Sequence, residues 1–335
     1  MLKRVTRSIK MSPIIVIGAS VGGVNALRSI VGGLSPEIAA SVFIVLHIGA
    51  RSSLLPELLN AVGAILAKHA EDGEPIHPGR IYIAPPDRHM TIGDGCVRLT
   101  RGPKENWARP AIDPLFRSAA AFYGSAAIGV ILTGNMNDGT MGLGEIKRRG
   151  GITIVQDPRD ADYPEMPRSA AAHVKVDYCP PLAGIPGLLH KLAAERQAAM
   201  AADTSRELEK GRVMNTEKEI ERPVTITCPD CGGALRRSQT GTMVEYRCHI
   251  QHVYTAEVLA EAQFDKMETL LRAAERSVNE RAEFCRQMAE RANSAGAVPE
   301  EHCWRAAALQ AVERAHEMRD FVEQAWSRPE NIVPA

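Results

Sequence analysis

Three side chains of complementary chemistry each stand just past a run of β-branched residues. Ile14-Ile15-Val16-Ile17 opens into Gly18-Ala19-Ser20-Val21-Gly22, Val42–Leu46 is followed by His47, and Ile128–Thr133 leads through Gly134-Asn135-Met136-Asn137 to Asp138. A hydroxyl, an imidazole and a carboxylate are the parts of a nucleophilic relay. The serine attacks, the histidine takes and returns the proton, and the aspartate fixes the histidine tautomer. The G-x-S-x-G spacing around Ser20 suits a serine exposed on a tight strand-to-helix turn. Each residue alone has a plainer role: Ser20 satisfying backbone groups, His47 as a buried polar spacer, Asp138 capping the helix after it. Their occurrence at three corresponding strand ends favours chemistry. A dinucleotide site fits less well, because Ser20 occupies the place of the middle glycine and His47 that of the acidic residue.

For these side chains to meet, their strands must be neighbours in one sheet. From residue 13 to about 195 strand-like and helix-like segments alternate, with further strands at 80–84, 96–99 and 151–156 and helices at about 54–66, 115–123 and 142–149. That alternation predicts an α/β fold with a doubly wound, mostly parallel sheet and right-handed crossovers. Ligands of such sheets sit at the carboxyl ends of the strands, where all three residues fall.

Composition narrows the partners. Forty Lys and Arg balance forty Asp and Glu, and aromatic residues make up 4% of the 335. Neither a polyanion surface nor a base-stacking platform is expected, so nucleic acid is not a predicted partner. No apolar run approaches the roughly 18 residues that would span a bilayer. Seven cysteines without an evident framework suit a reducing compartment, and a cytoplasmic protein is expected.

Beyond the α/β segment the chain changes character. Residues 196–223 lose their strand formers and read as a linker, and residues 1–12 as a leader. Cys228, Cys231, Cys248 and His252 form a C-x2-C-x16-C-x3-H pattern within 224–254. That spacing suits a tetrahedral structural Zn²⁺, with His249 as the competing fourth ligand. An unmetallated turn with reduced thiols is the plainer alternative. Residues 255–328 carry two helical stripes broken at Asn293–Gly296, which predicts an antiparallel helical hairpin. Burial of a shared seam accounts for the stripes; association with a partner or a second copy is the other reading.

The blocks around the relay residues resemble the catalytic domain of the chemotaxis protein-glutamate methylesterases (CheB-type). The likeness spans 13–195 and includes Gly18–Gly23, His47, His77–His89, Arg109–Phe116, Leu132–Gly139 and Met166–Ala170. It implies hydrolysis of glutamate γ-methyl esters on methyl-accepting receptors, with deamidation of glutamines as a second activity. Ser20 would be the nucleophile, His47 the acid and base, Asp138 its orienter, and backbone N–H groups near Val21 and Asn135 the oxyanion donors. No catalytic cofactor is implied. Val21 stands where the family often has threonine, and Asn135-Met136 where Met-Gly is common. Family members of chemotaxis operons usually carry an amino-terminal receiver domain; about a dozen residues precede the first strand here, so none is expected in this chain. Some stand-alone members share a similar tail. The competing functional reading is a weak or silent adaptor that binds receptor segments and recruits partners through the tail.

Overall fold

The computed structural model describes residues 12–50, 52–93, 95–203 and 222–323. The expected leader falls outside these except for Ser12, as do residues 204–221 of the expected linker. Two units are distinguished, one of residues 1–228 with 233–258, the other of 229–232 with 259–335.

In the first unit the order is β1 (Ile14–Ala19), α1 (Gly23–Gly32), β2 (Ser41–Leu46), α2 (Leu55–Asn60), β3 (Ala67–His69), β4 (Ile81–Ile83), β5 (His89–Gly93), β6 (Cys96–Thr100), α3 (Ile112–Tyr123), β7 (Ala127–Ile131), α4 (Thr140–Arg148), β8 (Ile152–Val155), α5 (Glu165–His173) and α6 (Ile185–Asp203). Six of these strands form one parallel sheet in the order β3-β4-β2-β1-β7-β8. β5 and β6 form a separate antiparallel hairpin.

The apolar runs follow from burial on both faces of the sheet. Ile15, Ile17, Val42 and Ile44 pack with Leu27, Ile30, Leu59 and Leu189 from α1, α2 and α6. Ile14, Val16, Phe43 and Val45 face the other way, against Leu115, Phe116, Leu143 and Met166 from α3, α4 and α5. Each strand therefore alternates between two cores with no polar side. The chain leaves β1 toward β2 and later returns to β7 on the opposite flank, so β1 borders a topological switch point.

The helix expected at 54–66 is shorter than its pattern suggested. α2 stops at Asn60, whose side-chain amide donates to the Ala67 carbonyl and accepts from the Ala67 N–H, both at 2.8 Å. Those bonds hold Ala67–His69 as an extra edge strand. Gly63, in between, packs so closely on Val31 that a side chain would not fit. α3 begins three residues earlier than expected because Pro114 is tolerated in a first helical turn.

The carboxyl-terminal part of the first unit is a four-stranded antiparallel sheet, β9 (Arg222–Thr227), β10 (Ala234–Thr240), β11 (Met243–Cys248) and β12 (Val253–Thr255), ordered β12-β11-β10-β9. β12 leads into α7 (Ala256–Ser294). In the second unit, α7 and α8 (Val298–Glu323) lie antiparallel: Arg319 pairs with Glu275 at 3.0 Å, and the rings of Phe284 and Trp304 meet edge to face. Gly296, at φ 72°, makes the turn. Ala282, Cys285, Ala289, Ala308, Ala311 and Ala315 are buried along these helices.

Candidate active site

Ser20, His47 and Asp138 converge at the carboxyl ends of the adjacent strands β1, β2 and β7. Nδ1 of His47 lies 3.2 Å from Oγ of Ser20, and its Nε2 lies 2.8 Å from Oδ2 of Asp138. The strand register produces this meeting. Ala19 pairs with Leu46, so Ser20 and His47 leave the sheet side by side, and the His47 N–H donates to the Ala19 carbonyl at 3.2 Å.

The turn at Ser20 is built from both sides. Gly22 adopts φ 78° ahead of α1, a conformation a side chain would strain. The Ser20 N–H donates to the Thr133 carbonyl at 3.0 Å, which ties the turn to the loop after β7. Gly134 in that loop comes so close that an added Cβ would stand 2.7 Å from Cβ of Ser20.

Asp138 does not cap the helix that follows it, as the plain reading proposed. Its Oδ2 accepts from the Ile112 N–H at 2.6 Å and its Oδ1 from the Gly139 N–H at 3.0 Å. It thus closes the amino terminus of α3, where backbone donors and the helix dipole favour an anion. Oδ1 also accepts from Nδ2 of Asn106 at 3.0 Å. Burial opposes ionisation of Asp138, but the hydrogen bonds and charge of His47, with the Ile112 and Asn106 donors, outweigh it and hold the carboxyl down at about 2. An ionised Asp138 can only accept, so Nε2 of His47 carries the proton. Nδ1 is then the lone-pair nitrogen that faces the Ser20 hydroxyl, as a general base requires.

Next to His47 opens a cleft of about 310 Å³ whose wall includes Asp87, Lys104, Trp107 and Arg109. Arg109 is tied down: Nε and Nη2 donate to one oxygen of Asp87 at 2.8 and 2.6 Å, and Nη1 donates to the Gly102 carbonyl. The Arg109 guanidinium holds the Asp87 carboxyl below the usual carboxylate range. Val21 is 44% exposed beside the serine. Among the described residues no acceptor meets the N–H of Val21 or Asn135. Asn106, Asp113 and Asn137 are all buried around Asp138; Asp113 and Asn137 fall inside the blocks Arg109–Phe116 and Leu132–Gly139 but received no role from the sequence, and Asn106 lies outside every block. The only hint was their nearness in sequence to Arg109 and Asp138.

Cys228, Cys231, Cys248 and His252 are brought together, with their sulfur and nitrogen atoms within 4.8 Å of one another. Nδ1 of His252 is 3.6 Å from Sγ of Cys228 and 3.5 Å from Sγ of Cys248. A tetrahedral ion with bonds of about 2.3 Å to sulfur and about 2.0 Å to nitrogen needs ligand separations of about 3.5 Å, so this donor set fits a metal. The His252 N–H points at Sγ of Cys248 at 3.2 Å. His249, the competing ligand, is not in the cluster.

Known proteins resemble the α/β segment. Residues 15–189 match the family model described as CheB methylesterase. A Leptospira interrogans protein, named as a candidate protein-glutamate methylesterase/protein-glutamine glutaminase, is 44% identical over 170 residues, 49% of this chain and 86% of that protein. An Anaeromyxobacter dehalogenans protein-glutamate methylesterase/protein-glutamine glutaminase is 38% identical over 180 residues, 53% of each chain. The crystal structure of the Thermotoga maritima CheB methylesterase catalytic domain aligns with a TM-score of 0.52 at 36% identity, covering 54% of this chain and 99% of that one. Among the described residues no helix is long and apolar enough to cross a membrane.

Proposed function

The chain belongs to the CheB methylesterase family, and on that premise we propose that it hydrolyses glutamate γ-methyl esters on the cytoplasmic domain of a methyl-accepting receptor. Ser20 is the nucleophile, His47 the general acid and base, and Asp138 the group that orients His47. The observation that carries this reading is the continuous line from Oγ of Ser20 through both ring nitrogens of His47 to Oδ2 of Asp138.

In the first half-reaction Oγ of Ser20 attacks the ester carbonyl while Nδ1 of His47 takes the hydroxyl proton. The imidazolium is stabilised by the ionised Asp138, and the tetrahedral oxyanion is met by the N–H groups of Val21 and Asn135. Collapse expels methanol, protonated by His47, and leaves a glutamyl ester on Ser20. Water then attacks the acyl carbon, His47 takes its proton and passes it to the departing Oγ of Ser20, and the glutamate γ-carboxylate of the receptor is released. A glutamine amide follows the same path with ammonia as the leaving group. No step uses a metal or organic cofactor.

The Cys228, Cys231, Cys248 and His252 set would hold a structural Zn²⁺ that joins the β9–β10 and β11–β12 turns at one end of the small four-stranded sheet. The α7–α8 hairpin would serve partner or self association, and the protein would act in the cytoplasm.

Methanol release from a methyl-esterified receptor fragment tests the reading. The wild-type chain should release methanol, and Ser20→Ala should reduce the rate by about 10⁴-fold or more. Equal rates would sink the mechanism.

A further inference from the structure

The loop that carries Asn106 is held by the carboxyl-terminal sheet as well as by its own domain. Glu105 pairs with Val253 in a parallel bridge, and the Asn106 N–H donates to the Val253 carbonyl at 2.8 Å. The Thr255 N–H donates to Oδ1 of Asn106 at 3.1 Å. One residue before Asp138 the pattern recurs: Oγ1 of Thr255 donates to Oδ1 of Asn137 at 2.9 Å, and Nδ2 of Asn137 donates to Oε2 of Glu257 at 2.8 Å. Asn106, Asn137 and Thr255 are 7%, 5% and 2% exposed, so water is excluded from this junction.

These bonds have a directional consequence. An amide side chain can present either its oxygen or its NH₂ group to a neighbour. With the Thr255 N–H fixed on Oδ1, the NH₂ of Asn106 must face the opposite way, and there it donates to Oδ1 of Asp138 and Oδ2 of Asp113, each at 3.0 Å. β12 therefore sets the orientation of the donor that braces the carboxylate behind His47. The loop also needs outside support. Asn106 and the bulky Trp107 both adopt left-handed backbone, at φ 48° and 63°, a region tryptophan rarely occupies. Trp107 lines the cleft beside His47.

We propose that β12 is a working part of the active site: Thr255 positions Asp138 through Asn106, by its backbone N–H, and through Asn137, by its hydroxyl, so the carboxyl-terminal sheet controls the turnover of a site to which it contributes no reacting group. The proposal rests on the relay reading of Ser20, His47 and Asp138.

The test uses the full chain with two readouts. One is kcat and KM for methanol release. The other is the rate at which a fluorophosphonate labels Ser20, which does not depend on the identity of the ester. Thr255→Val keeps the backbone N–H on Asn106 but removes the hydroxyl that holds Asn137 next to Asp138; it should lower kcat and the labelling rate about threefold to tenfold with KM within about twofold, and Thr255→Ser should restore both. Asn106→Ala should cost about tenfold to a hundredfold in both rates, the scale expected when a reacting group is slightly misplaced. Should Asn106→Ala fail to fold, the Thr255 pair decides. Thr255→Val and folded Asn106→Ala that label Ser20 at the wild-type rate would overturn the proposal. A wild-type Ser20 that resists labelling overturns the relay reading and the proposal together. Labelling without methanol release overturns only the substrate, and the labelling rates still decide the role of β12.

Discussion

Asp113 and Asp138 share one amide donor: Nδ2 of Asn106 lies 3.0 Å from a carboxylate oxygen of each. Both acids are 2% exposed. Two buried carboxylates this close do not ionise independently, and their surroundings push them apart. Asp138 has His47 and the first turn of α3 to stabilise its charge. Asp113 has the Gly142 N–H, at 2.6 Å, and the NH₂ of Asn106. Burial, and then the charge of Asp138, raises the Asp113 carboxyl well above its ordinary value of 3.8.

Stability should therefore carry two opposite pH signatures from one cluster. Asp138 is depressed to about 2, so its contribution is present above about 3.8 and is lost as pH falls toward 2. Asp113 is raised, so its contribution is complete below about 3.8 and is lost as pH rises through its folded value. Asp113→Asn keeps an acceptor for Gly142, loses the acceptor for Asn106 at every pH, and removes the titration. In urea unfolding from about pH 5 to pH 8, the wild type should lose stability relative to Asp113→Asn as pH rises, by at most about 1.4 kcal/mol per pH unit. Parallel stability curves would show that Asp113 is not perturbed.

Asp138→Asn should damage catalysis far more than its conservative shape suggests. The carboxylate accepts from Nε2 of His47 and from the Ile112 N–H on the same oxygen. An amide presenting its NH₂ group there would face two donors, and turning its oxygen there would bring the NH₂ group against Asn106 and Gly139. The first orientation reverses the tautomer of His47, and the second sets the NH₂ group against two donors and displaces the side chain that holds the ring. A loss of about 10⁴ in kcat is expected. Because the three residues act as a unit, Ser20→Ala combined with Asp138→Asn should be no slower than Ser20→Ala alone. A further drop of comparable size in the double variant would show that Asp138 works independently of Ser20.

The parallel sheet was legible because burial on both faces leaves long apolar runs, and a β-branched run such as Ile14–Ile17 has few other uses. Ser20, His47 and Asp138 were legible because His47 follows such a run directly and the other two stand within five residues of one. β3 was not legible: its three residues, Ala67-Lys68-His69, carry no strand pattern and are recruited by the side chain of Asn60. Asn106, Asn137 and Thr255 were invisible for a related reason. Their importance lies in contacts over 118 and 149 positions, and nothing local in an asparagine or a threonine announces a distant partner.

Gly134 supplies a test of how tightly the serine turn is packed. In Gly134→Ala the new methyl would stand 2.7 Å from Cβ of Ser20 and 3.2 Å from its backbone nitrogen, and would press on the sulfur of Met166. Met166 can swing away, but Ser20 is fixed by its backbone bond to Thr133. The strain must then move Ser20. A stability loss of about 1–3 kcal/mol is expected, with a fall in kcat of about tenfold or more as Ser20 leaves His47. Gly144→Ala, within α4, is the control. Its methyl would meet only Val174 at 3.6 Å, and the gain in helix propensity should leave stability level or raised by up to about 1 kcal/mol. Thermal melts and methanol assays on the two variants separate local crowding from a general intolerance of alanine.

The carboxyl-terminal sheet should depend on metal for its folding. β9 to β12 bury few large apolar residues, chiefly Leu235, Met243, Val253 and Tyr254, and a sheet of that size rarely holds together on its own core. Four soft and borderline donors at tetrahedral spacing supply what the core lacks. The protein purified without chelator should contain about one zinc per chain, and Cys248→Ser should lose it. Chelation should make the segment from Arg222 to Thr255 sensitive to protease while leaving β1 to β8 resistant, because the parallel sheet has two cores of its own. Resistance of the carboxyl-terminal sheet after complete removal of zinc would show that its strands hold without the ion.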